Sequence, residues 1–149
     1  MAHPLLTALA LLPLLGSTLT CASEAKAAWL PGSYELVGTR DAGILLIHRT
    51  SPREITFSIN VVHCMHECGS DSAVNHIASL EQAVARLSGS SATYGGTASR
   101  PGPKTTCTVT LSQRSKQAIR VRQEGECEEF GQGVGVHGEY RLSKSGALP

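Results

Sequence analysis

Ile55, Phe57, Ile59 and Val61 alternate without a break against Glu54, Thr56, Ser58 and Asn60. A period of two gives an extended strand one face for a core and one for water, a pattern no helix satisfies. The same alternation returns in Cys107, Val109 and Leu111 against Thr106, Thr108, Thr110 and Ser112. It returns again in Ile119 and Val121 against Arg120 and Arg122, and finally in Val134, Val136, Gly138 and Tyr140. Shorter extended runs cover 34–39, 44–49 and 92–94. Turn-forming residues separate them: Asp41-Ala-Gly43, Ser51-Pro-Arg53, Ser88-Gly-Ser-Ser91 and the Gly-, Ser- and Pro-rich stretch 95–103. The chain therefore reads as mainly β, a small antiparallel barrel or sandwich of about eight strands.

One window resists this reading. Over 74–87, Ile77, Leu80, Val84 and Leu87 fall at helical spacing, and Ala, Glu and Gln favour a helix. Val74, His76, Ala78 and Leu80 also alternate. Taken alone, the window predicts one short helix.

The first residues are of another kind. Leu5 to Leu15 is an apolar run too short to cross a bilayer, and small-x-small sites follow at Thr20-Cys-Ala22 and Ala25-Lys-Ala27. This is the pattern of a secretory signal peptide, 1–27, cleaved after Ala27 or alternatively after Ala22. Its amino-terminal part has no Lys or Arg. The remaining chain is then a domain over 28–142 with a frayed tail, 143–149. Cys21 could alternatively carry a lipid anchor, although Thr18-Leu19-Thr20 departs from the residues that usually precede a lipid-bearing cysteine.

Cysteine usage agrees with export. Removing the leader leaves Cys64, Cys68, Cys107 and Cys127, an even set suited to two disulfides in an oxidising compartment. The expected pairings are Cys64 with Cys68 and Cys107 with Cys127, one of three connectivities that four cysteines allow. The alternative for the first pair is a copper or zinc site in His63-Cys64-Met65-His66-Glu67-Cys68, using His63, Met65 and His66, with His76 and His137 as possible additions. That reading needs reduced thiols and a spacing unlike common zinc motifs.

A formal charge of +1 and 4% aromatic residues argue against nucleic acid, which calls for a basic face or a stacking platform. No G-x-S-x-G, H-E-x-x-H or phosphate loop is present, so neither an enzyme nor a cofactor is expected. The acidic corner Glu124-Gly-Glu-Cys-Glu-Glu129 is a candidate face for a cationic partner; Arg114, Lys116, Arg120 and Arg122 carry the opposite sign.

The block Cys107-x-Val-x-Leu, Ile-x-Val-x-Gln-x-Gly-x-Cys127 and Phe130-Gly-x-Gly-Val-x-Val-x-Gly-x-Tyr140 resembles a group of small exported bacterial β-rich proteins. Gly32-Ser-Tyr34, His76-Ile77 and Ala92-Thr-Tyr94 extend the likeness. Some of that group resemble periplasmic lysozyme inhibitors of the LprI type. The resemblance implies strands rather than a helix over 74–87, and a binder of another envelope protein rather than an enzyme. Other lysozyme inhibitors insert a Ser-Gly-x-x-Tyr loop into the lysozyme cleft; here Ser88-Gly89 is followed by Tyr94, two residues late. The expected function is an exported protein-binding module, an inhibitor or immunity protein against a lysozyme-like enzyme or toxin. Its expected contacts are Ser88, Tyr94, Glu126, Glu128 and Glu129. The alternatives are the metal-binding loop and a structural envelope protein.

Overall fold

The computed structural model describes residues 28–68, 74–97, 106–130 and 135–146; the leader and Cys21 lie outside them. Eight antiparallel strands follow in chain order: β1 Gly32–Leu36, β2 Asp41–Thr50, β3 Glu54–Cys64, β4 Val74–Ser88, β5 Ser91–Gly96, β6 Cys107–Ser115, β7 Ala118–Glu124 and β8 Gly138–Ser145. Each pairs with its neighbour in sequence, and β8 returns to β1, closing an up-and-down barrel. Closure leaves no long edge to recruit another chain.

An eight-stranded barrel has an interior just wide enough for side chains to fill. Here the inward residues do so. Tyr34, Leu45, Ile47, Phe57, Ile59, Val109, Leu111, Ile119 and Tyr140 are fully buried, as the alternation in the sequence requires. Their opposite numbers Thr108, Thr110 and Ser112 are half-buried on the outside, and Arg120 and Arg122 stand in water.

The segment 74–88 is neither a helix nor two strands but one strand fifteen residues long. Its apolar spacing has a simple cause. Ile59 pairs with Leu80 and Phe57 with Ala83, so Glu81 and Gln82 together oppose the single residue Ser58. This β-bulge advances the inward phase by one residue. Ala78 and Leu80 point inward before it, Ala83 and Ala85 after it, while Ile77 and Val84 are about half exposed on the outer face. A period of two with one slip imitates helical spacing. Gln82 takes the bulge's left-handed conformation, φ 53°, and its N–H donates to Ser58 Oγ at 3.0 Å.

The last strand is also displaced. The alternation places it over 134–140, whereas β8 runs through Ser145, with Lys144 opposite Ser33 and Ser145 opposite Gly32. Residues 143–145 therefore belong to the barrel wall rather than to a frayed tail. Val136 is buried ahead of the strand, and Val134 lies outside the described residues.

Because strands alternate in direction, the connections segregate. One end carries the tight turns 51–53, 89–90 and 116–117. The other, the mouth, carries the described residues of the remaining connections, 37–40, 65–68, Thr97, Thr106, 125–130 and 135–137. Among the described residues, no helix is long and apolar enough to cross a membrane.

Candidate functional site

The mouth is built from connections that the sheet ladder cannot hold, so other devices hold them. Cys107, first residue of β6, is bonded to Cys127 in the connection after β7. Cys127 is fully buried, and a single 3-10 turn, Glu128–Phe130, follows it. That turn sends Phe130 into the core. Glu128 N–H donates to Thr97 O at 2.9 Å. Glu129 turns back: its Oε1 accepts the Thr97 N–H at 2.9 Å and the Tyr94 hydroxyl at 3.2 Å. Tyr94 in turn meets Phe57 edge-on, with ring centroids 6.1 Å apart.

Close approach makes two glycines necessary here. A Cβ on Gly96 would stand 2.5 Å from Cys107 Sγ, and one on Gly125 would fall 1.5 Å from the Thr106 carbonyl oxygen. Gly125 also has φ 78°, where an L side chain is strained. Gln123 clamps the connection at both ends: its Nε2 donates to Gly125 O at 3.0 Å and its Oε1 accepts the Val136 N–H at 3.1 Å.

The second disulfide, Cys64 to Cys68, closes the loop after β3. The N–H groups of Cys64 and Cys68 donate to Arg40 O and Thr39 O, both at 3.0 Å, which fastens this loop to 37–40. On the same rim His63 Nδ1 bonds Asp41 Oδ1, and each side chain is about 44% exposed.

Electrostatics mark out Glu129. Burial on its own would raise the Glu129 carboxyl. The Thr97 and Glu129 N–H groups, with the Tyr94 hydroxyl, outweigh it and hold the group below the usual carboxylate range. Tyr94 is pushed up, by burial first and then by the neighbouring Glu129 charge. Glu124, Glu126 and Glu128 are exposed on the surface of the same connection.

The residues singled out in the sequence thus divide. Glu126 and Glu128 stand together at the mouth, while Tyr94 and Glu129 are tied to each other as part of its brace. Ser88 is not among them: it ends β4 beside Gly89 at the opposite end of the barrel, where Arg114 and Lys116 also lie. His63 is turned onto Asp41, whereas Met65 and His66 are exposed on the disulfide loop and do not join it. With both cysteines of that loop bonded to each other, its thiolates are not there to bind a metal. The same holds for Cys107, Cys127 and Glu129, whose ligand atoms lie within 4.8 Å of one another. Their two sulfurs are joined, so the trio is a brace and not a metal centre.

Sequence reasoning missed Ser58 and His48. Ser58 Oγ accepts the bulge N–H of Gln82 and lies 2.7 Å from His48 Nε2. His48 is itself the extra residue of a second bulge, between Ile47 opposite Phe57 and Arg49 opposite Thr56. Ser58 therefore clips two bulges from the strand between them, and no periodicity announces that. Beside it a shallow outer-face depression of about 190 Å³ is lined by Ile44, Leu46, Asn60 and Ser79.

Comparison with known protein families, curated proteins and solved structures gives no match.

Proposed function

We propose that this chain is an exported protein-binding module that docks through its mouth onto a cationic surface of another protein. The observation that carries the reading is the division of labour in the barrel. The inside is filled by side chains, while three exposed carboxylates, Glu124, Glu126 and Glu128, are presented on a connection fixed by the Cys107–Cys127 bridge. A loop held rigid before encounter loses little entropy on binding. Two disulfides suit an oxidising compartment, and the periplasm or the cell exterior is the place proposed. The partner class that fits is a lysozyme-like enzyme or a delivered toxin with a basic cleft, inhibited by occlusion. The resemblance to lysozyme inhibitors points the same way.

The test uses Glu124→Lys, Glu126→Lys and Glu128→Lys together, sparing Glu129 because it braces the mouth. Binding to a panel of lysozymes is measured at low and at physiological salt. Charge pairing acts mainly on encounter, so the association rate at low salt is expected to fall about tenfold or more; thermal unfolding checks that the variant folds. An unchanged rate for every lysozyme bound, or no binding and no inhibition at all, overturns this proposal.

A further inference from the structure

We propose that the mouth also holds a divalent transition-metal site formed by the cross-strand pair His63 and His76, with Asp41 positioning His63. The three residues form one row across three strands: Asp41 is opposite His63 in the pairing of β2 with β3, and His63 is opposite His76 in the pairing of β3 with β4. They share the inward phase. Val61 and Ala78, two residues from His63 and His76 along their strands, are buried inside the barrel. Residues directly opposite on one face have their Cβ atoms about 4.5–5.5 Å apart, within the span that a single ion bridges between two imidazoles.

The chemistry at His63 is already arranged for ligation. A neutral imidazole that donates Nδ1–H to the Asp41 carboxylate leaves the lone pair on Nε2. A carboxylate behind a histidine fixes its tautomer and orientation and raises its basicity as a ligand. His76 is exposed; its ring does not stand with His63 and Asp41 in the structure, so the site requires a rotation about its Cα–Cβ bond toward Nε2 of His63. Two neutral imidazoles, with water completing the shell, suit Cu2+ or Zn2+ rather than Mg2+ or Ca2+, which prefer oxygen. This set differs from the His63, Met65 and His66 loop that the sequence suggests, because it needs neither a thiolate nor a thioether. It is also independent of partner docking, since none of the exposed glutamates takes part.

The test is titration of the intact, oxidised protein with Cu2+, followed by electron paramagnetic resonance and calorimetry, with Zn2+ as a second probe. One ion per chain with hyperfine structure from two imidazole nitrogens is expected. Asp41→Asn should weaken binding about 10–100-fold, and His63→Ala or His76→Ala should reduce the nitrogen count to one and weaken binding at least as much. His66→Ala and His137→Ala, at the same end of the barrel, should change neither. All five positions are exposed or at the rim, and thermal unfolding checks that each variant folds. No saturable Cu2+ binding, binding indifferent to His76→Ala, or a signal lost with His66→Ala overturns the proposal.

Discussion

The two ends of this barrel solve the same problem with different means. Each has a tyrosine whose hydroxyl donates to the carbonyl four residues earlier: Tyr34 to Leu30 at 2.8 Å at the turn end, Tyr140 to Val136 at 2.9 Å at the mouth. Both phenols are pushed up by burial; Asp41 adds to the effect at Tyr140. At the turn end little else is needed. Short hairpin turns keep the strands in register, Trp29 just before β1 is buried in the core, and Gly146 N–H closes onto Pro31 O at 3.1 Å. At the mouth the connections outrun the ladder, and two disulfides, a 3-10 turn, Gln123 and Glu129 take its place. The comparison teaches that the covalent braces sit where backbone pairing stops.

Two glycines with positive φ sharpen the contrast most. Gly125 at the mouth has φ 78° and lies against Thr106 O, whereas Gly89 in the β4–β5 turn has φ 62° and nothing within 4 Å of a Cβ. Gly125→Ala combines left-handed strain with a backbone collision, and about 3–5 kcal/mol of destabilisation is expected. Gly89→Ala carries the strain alone, about 1–2 kcal/mol. Urea unfolding of the two variants measures the difference; equal losses would mean that the mouth is no more tightly packed than the turn.

The disulfides come next. In the chain-entropy model the bridge spanning 20 residues contributes about 3 kcal/mol, and the one spanning 4 about 2 kcal/mol. Replacing Cys107 and Cys127 by Ser should therefore lower stability more than the same change at Cys64 and Cys68, by about 1 kcal/mol. Hydrogen exchange should locate the loss at the mouth: faster exchange at the Thr97 and Glu128 amides with the strands of the turn end unchanged. A uniform loss would show that the bridge supports the whole barrel.

Much of this was legible in the residues, and the failures have identifiable causes. Stretches whose alternation is unbroken, such as 54–61 in β3 and 107–112 in β6, declare which side faces in. Val74–Ser88 misleads because its bulge at Glu81–Gln82 is selected by Ser58 on the neighbouring strand, a contact no local window contains. Proximity in sequence misleads at the site as well. Ser88 and Tyr94 lie six residues apart, yet β5 runs from one end of the barrel to the other between them, so they cannot serve one surface. Glu129 looks like its neighbours Glu126 and Glu128 in sequence. Only the 3-10 turn Glu128–Phe130, folded back onto Tyr94 and Thr97, shows it facing inward.

The smallest effect tests Glu129 by pH. Its carboxyl is held below the ordinary range in the folded chain, so the ionised form is the one the fold favours. The corresponding stability is full above the unfolded-state value near 4.5 and is lost as pH falls through the lower, folded-state value. Glu129→Gln removes the charge while keeping an oxygen to accept the Thr97 N–H, and should cost about 1 kcal/mol or less at neutral pH. Urea midpoints measured from neutral pH down through the carboxylate range should fall less steeply in this variant than in the parent, so the two curves converge in acid. If the Glu129→Gln curve stays as steep as the parent's, the brace of the mouth has been assigned to the wrong carboxylate.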